Sequence, residues 1–232
     1  MRRPIPTEDI FTARHAVRSG RPPRELAGEV DARILDAARE VFLERGLAGA
    51  SMDEIAGLAR AGKPTIYARF PTKEALFTAA VMRSMADKIA RFENYVPIGR
   101  TIEERLASVG ATVLHWALAG DTVGLMRLAI AEARRFPDLA SGVYRMARER
   151  GAEAVSRLLS EVAQSDGLDT LSAFAPERLA TTTRFFQDLV LMPLIMRALF
   201  GEKLDALRAK IEPHVARTVA FFLAACRDGG AG

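Results

Sequence analysis

The side chains best suited to act together on a partner lie between Ser51 and Lys73. They are the cations Lys63, Arg69 and Lys73, the hydroxyls of Ser51, Thr65, Tyr67 and Thr72, and the small side chain of Ala68. Donors of this kind match the acceptors that line a nucleic-acid groove, phosphate oxygens above all. No comparable set points to catalysis. His15, His115 and His214 are scattered, Cys226 is alone, and no glycine-rich phosphate loop occurs. Carboxylates such as Glu149 and Glu153 alternate with Arg145, Arg148, Arg150 and Arg157 at helical spacing, the pattern of solvated i, i+4 networks. No enzyme, metal site or other cofactor is expected.

The donors need a frame, and the surrounding pattern predicts one. Ile34, Leu35, Ala38, Val41 and Phe42 form the apolar stripe of a first helix from Asp31, ended by Gly46 with Leu47 folding back on Phe42. Ser51 and Glu54 have capping-box spacing and open a short second helix whose inward residues are Ile55 and Leu58. Gly62 is placed to cap a third helix, with Pro64 in its first turn, where a missing N–H costs nothing. Ile66 and Phe70 then face inward, and Lys63, Thr65, Tyr67, Ala68 and Arg69 face outward. Pro71 stops this helix, and Thr72 caps a fourth, whose open N–H groups beside Lys73 suit a phosphate. Two short helices, a tight turn and a third recognition element make a helix-turn-helix.

Beyond Pro97 the pattern stays helical, with helices expected at 101–119, 122–136, 138–165, 176–200 and 204–226 and no convincing strand. Pro193 lies inside the fourth of these and is expected to kink it. The fold class is all-α: a three-helix DNA-binding unit at 29–76 and a helical body at 77–232. Ahead of them, 1–28 reads as a flexible basic arm. Its Arg14, Arg18, Arg21 and Arg24 have no acid among them, and Gly20-Arg21-Pro22 resembles the peptides that lie along a minor groove. A solvated tail is the equal alternative. The formal net charge of +4 suits nucleic acid only weakly, so the position of the charge matters more than its sum. A single cysteine, no basic start with an apolar run, and an apolar stretch at 189–200 broken by Pro193 and Arg197 favour a cytoplasmic protein without a membrane span.

These residues resemble the TetR family of bacterial transcriptional regulators. The likeness is densest at Ala38 and Phe42, at Ser51, Asp53, Ile55 and Ala56, and from Thr65 to Phe77, T-I-Y-A-R-F-P-T-K-E-A-L-F. Residues 127–139 are similar to the AefR-like group of C-terminal domains. The chain departs from the common pattern at Arg60, where many members have Gly, and at Gly62, where many have Ser.

The resemblance implies a homodimer that binds a palindromic double-stranded DNA operator, in most such proteins as a repressor, and a body that holds a small effector. By position it implies DNA contacts from Lys63, Thr65, Tyr67, Arg69 and Lys73, and it makes Arg21, Ser51, Pro64, Ala68 and Thr72 further candidates. Only the resemblance makes a body cavity expected. Its candidate walls are Trp116, Met126, Phe136, Met146, Phe185, Phe186, Met192 and Met196, with His115 or Gln187 to orient a largely apolar ligand; plain core packing is the alternative. Leu189, Val190, Leu194, Phe200, Val219, Phe221 and Phe222 are the candidate dimer face. Two other readings stay open: a helical carrier or enzyme whose head no longer binds DNA, its basis the altered turn at Arg60 and Gly62, and an architectural DNA-binding protein led by the arm.

Overall fold

The computed structural model describes residues 24–93, 95–165 and 171–227, and the described residues contain helices and no strand. The head consists of α1 (Arg24–Gly49), α2 (Met52–Ala59), α3 (Lys63–Arg69) and the start of α4 (Lys73–Glu93). The body follows as α5 (Ile102–Ala117), α6 (Gly120–Ala131), α7 (Pro137–Ser165), a short 3-10 turn (Ser172–Phe174), α8 (Pro176–Leu199), α9 (Leu204–Arg208) and α10 (Ile211–Arg227). Helix α1 starts at Arg24, inside the segment read as an arm, directly after Pro22 and Pro23, which are tolerated ahead of a first turn. Arg14, Arg18 and Arg21 lie outside the described residues.

Two apolar cores hold the chain. The first joins Ile34, Val41, Phe42, Ile55, Ile66, Leu76 and Phe77 of the head to Leu125 and Ala129 of α6 and to Leu139 and Val143 of α7. Phe42 and Phe77 meet edge to face at 5.0 Å in its centre. A division at residue 76 therefore falls inside α4, and the head shares its core with two body helices. At Gly124 an added Cβ would lie 2.6 Å from the end of Leu43, so the glycine lets α6 sit close to α1. The second core gathers α5, the far half of α7, α8 and α10 around Leu106, Leu114, Leu158, Phe186 and Phe222. Cys226 is buried there, and that burial pushes its thiol up to about 11, which leaves it an inert apolar residue at neutral pH.

Several local expectations change in the folded chain. Leu58 is 51% exposed rather than inward, because the eight-residue α2 turns Ile55 and Ala59, one helical turn apart, to the core. The capping box at Ser51 is only half made. Ser51 Oγ accepts the N–H of Asp53 at 3.2 Å, while the Glu54 carboxylate takes a bond from Arg45 Nε at 2.9 Å, a charge-assisted partner stronger than a backbone N–H. Gly46 has φ 68°, as its place at the end of a helix demands, and Leu47 is buried beside Phe42. Pro193 lies inside the span of α8, where the sequence places it.

Candidate nucleic-acid interface and body cavity

The turn between α2 and α3 is the part of the head where sequence and family pattern differ, and it keeps its shape. Arg60 adopts φ 48°, ψ 45°, the left-handed conformation that glycine takes without strain and that costs an L-residue about 1–2 kcal/mol. The N–H groups of Arg60 and Ala61 close the end of α2 on the carbonyls of Gly57 at 3.2 Å and Ala56 at 3.1 Å. Gly62 caps α3 with extended backbone and no side-chain bond, and a Cβ there would make ordinary contacts with Pro64 at 3.7 Å and Thr65 at 3.9 Å.

Helix α3 shows Pro64, Tyr67 and Ala68 to solvent, with Thr65 half-buried beside them and Tyr67 46% exposed. The charged candidates are engaged within the head. Arg69 bonds Asp31 of α1 through Nε and the Thr65 carbonyl through Nη1 at 3.3 Å. Lys73 Nζ donates to the carbonyls of Ala48 and Ala50, each at 3.2 Å, and so closes the C-terminal end of α1. Lys63 pairs with Asp53 of α2 on the surface. Thr72 Oγ1 accepts the N–H of Ala75 at 3.0 Å as the cap of α4. Arg69 and Lys73, expected as open donors, thus fasten α3 and α4 to α1, and the open part of the face is Pro64, Tyr67 and Ala68. Ser51 lies exposed at the start of α2.

In the body, α4, α5, α6, α7 and α8 line a half-open cavity of about 200 Å³. Of the predicted walls, Trp116, Met126, Gln187 and Met192 meet there. Met85, Val113, Val143, Val155, Leu191 and Ile195 add apolar surface, and Lys88, Thr122, Tyr144 and Arg148 add polar atoms. The other predicted walls lie elsewhere. Phe186 is buried against Phe222, with centroids 5.1 Å apart, and Phe136 packs in the head-side core with the Arg135 guanidinium 5.0 Å above its ring. Phe185 and Met196 are 53% and 44% exposed on α8, and half-buried Met146 does not border the cavity. His115 faces solvent beside Glu212 at 3.4 Å. Apolar composition could not separate wall from core from surface, since all three use the same residue types.

A chain of charges leads from the cavity to the head. Lys88 of α4 pairs with Asp121 at 2.8 Å and also bonds the Thr122 hydroxyl. Thr122 donates to the Trp116 carbonyl at 3.1 Å, and Asp121 takes a third partner in Arg39 of α1 at 3.4 Å. Burial pushes the Asp121 carboxyl up, but Lys88, the Thr122 N–H and Arg39 together outweigh it and hold the group below its usual 3.8. Sequence spacing carries no trace of this triad, because its members are 33 or more residues apart.

The expected dimer face is also redistributed. Val190, Leu194, Val219 and Phe222 are at most 3% exposed inside the protomer core and have no surface to offer a partner, and Leu189 is half-buried against the same core. Phe200 at 84% and Phe221 at 66% are open. With Phe185, Met192 and Met196, Phe200 forms one apolar stripe along α8.

Residues 34–80 match the family described as bacterial regulatory proteins, tetR family, and residues 104–227 match the C-terminal domain described as AefR-like transcriptional repressor. The chain belongs to the TetR family. It is 38% identical over 73 residues to the transcriptional activator FasR of Mycolicibacterium smegmatis, a match covering 32% of this chain and 32% of FasR. The other curated relatives are matched over roughly half their length. A TetR-family regulator from Mesorhizobium loti superposes with TM-score 0.76 at 25% identity, over 88% of this chain and 98% of that one. The flavonoid-responsive regulator FrrA superposes with TM-score 0.58 at 28% identity, over 85% of this chain and 97% of that one. This TetR-family chain thus shares both the head and the body of its relatives. No single helix among its described residues is long and apolar enough to cross a membrane.

Proposed function

We propose that the chain is an effector-responsive DNA-binding regulator, a repressor, that acts on a palindromic operator as a homodimer. The observation that carries this reading is the exposed face of α3, Pro64, Tyr67 and Ala68, held on a head that Arg69 and Lys73 lock together. A face built of a hydroxyl, a small methyl and a proline has room to enter a major groove. In a dimer closed through the α8 stripe and Phe221, two such faces would read half-sites about 34–36 Å apart.

The effector site in this reading is the body cavity. The effector is a small, largely apolar molecule; the flavonoid response named for FrrA is of that chemical kind. Binding would work by population shift, through differential affinity for two arrangements of α4 and α6 against α1, with Lys88, Asp121 and Arg39 as the link. Repression is favoured by the repressor description of the matched body domain, whereas FasR is described as an activator. The carrier reading loses its basis, since the turn at Arg60 keeps the helix-turn-helix shape.

Sequencing the genomic fragments retained by the purified protein tests the proposal. An inverted repeat with half-sites one helical turn apart is expected. Recovery of DNA without sequence preference would support the architectural alternative, and no recovery the carrier.

A further inference from the structure

Three of the polar side chains on the cavity wall, Lys88, Arg148 and Gln187, differ in how their neighbours satisfy them. Lys88 is paired with Asp121 at 2.8 Å, a carboxylate it shares with Arg39, and Arg148 with Asp188, which it meets with both terminal nitrogens. Gln187 is different. It is only 6% exposed, borders the cavity opposite Gly151, and its carboxamide has no hydrogen-bond partner among the described residues. Its polar atoms open into the cavity, so a bound molecule that displaces water there must offer a donor or acceptor or leave the amide unsatisfied, a loss of about 1–3 kcal/mol. An added Cβ at Gly151 would already lie 3.5 Å from Gln187 Nε2, so the glycine keeps open the space in front of the amide.

The charges decide what can be delivered. A carboxylate entering the cavity would approach two cations whose carboxylates, Asp121 and Asp188, are already seated, and would meet like charge as soon as it competed for either. An ammonium would have to draw a carboxylate from Lys88 or Arg148 and leave that cation unpaired. We propose that the ligand of this cavity is an uncharged molecule with an apolar body and one hydroxyl or carbonyl group, and that Gln187 is the residue that recognises that group. The inference rests on reading the cavity as the effector site, and it names the effector's chemical class. The apolar body lies among Met85, Trp116, Met126 and Ile195. Gln187 offers an N–H to a carbonyl, and its own carbonyl accepts from a hydroxyl.

Trp116 is the sole tryptophan of the chain and lines the cavity, so its fluorescence reports occupancy. The full chain is titrated at neutral pH with four eight-carbon probes: 1-octanol, 2-octanone, octanoate and octylammonium. Saturable changes with octanol and octanone are expected, with octanoate and octylammonium at least tenfold weaker. Gln187→Leu and the isosteric Gln187→Met should each weaken octanol about tenfold while thermal melts show both folded. Octanoate binding tightest, and lost in Lys88→Ala, would overturn the uncharged class and leave the effector cavity standing. Octanol affinity equal in wild type and both Gln187 variants would overturn the role of Gln187. Silence of Trp116 toward all four probes would overturn this inference together with the cavity reading. Octanol bound as expected, with operator affinity unchanged, would support the ligand class and overturn the cavity as a regulatory site.

Discussion

In the head, the strongest donors are tied to the protein: Arg69 to Asp31, Lys73 to the carbonyls of Ala48 and Ala50, Lys63 to Asp53. On the cavity wall Lys88 and Arg148 are likewise paired with carboxylates, yet the neutral amide of Gln187 has no hydrogen-bond partner among the described residues. The two regions handle polar groups by different rules because their surroundings differ. On a surface an unpaired donor bonds water at little cost, so long side chains serve as fasteners and the readable part of α3 is what projects past them. In a cavity, a molecule that displaces water must itself satisfy such a group.

The largest expected effect comes from charging the exposed apolar surface at Phe200 and Phe221, which the proposed dimer would bury. Phe200→Asp with Phe221→Asp should leave the protomer folded, shift the sedimentation profile to monomer and lower operator affinity by roughly 100-fold or more, since each half-site alone binds weakly. A double variant that stays dimeric would move the interface elsewhere. Next in size, Tyr67→Ala should lower operator affinity about tenfold while changing the melting free energy by less than about 0.5 kcal/mol, as an exposed substitution does. A comparable effect from Arg69→Ala should come with lost stability instead, because Arg69 fastens α3 to α1.

Asp121→Asn sharpens the link between the regions. It removes the shared partner of Lys88 and Arg39 and should destabilise the chain by about 1 kcal/mol at pH 7, after allowance for solvent screening. The folded-state pKa of Asp121 is lowered, so its contribution is present above the unfolded value of 3.8 and is lost as pH falls through the lower folded value. Melts of wild type and variant should therefore differ at pH 7 and converge as pH drops below 3.8. The smallest expected effect is at the turn. Arg60→Gly should raise stability by about 0.5 kcal/mol, the relief of left-handed strain less the entropy of a glycine, as read by denaturant midpoint.

Much of the head was legible because it is local. The stripe from Ile34 to Phe42, the positive φ of Gly46, the cap at Thr72 and the inward Ile66 depend on neighbours within one or two helical turns, and each appears where the spacing puts it, although Gly46, at ψ 176°, is extended and not in the left-handed helical well. Leu58 was misread because a helix of eight residues leaves its facing direction to whatever packs on it. The body was legible only as a set of helices. Phe185, Phe186, Trp116 and Phe222 are alike in sequence, yet one is exposed, one borders the cavity and two form the core.

By itself the chain's order of residues determined the all-helical class, the head's helix-turn-helix and the places where that unit departs from its relatives, because hydrophobic period, caps and prolines act over a few residues. Only the tertiary structure decided which donors are used as fasteners, that Lys88, Asp121 and Arg39 meet, and that Gln187 turns its amide to a cavity. Those are contacts between helices far apart in the chain, where the identity of a side chain says what it can bond and packing alone says what it reaches.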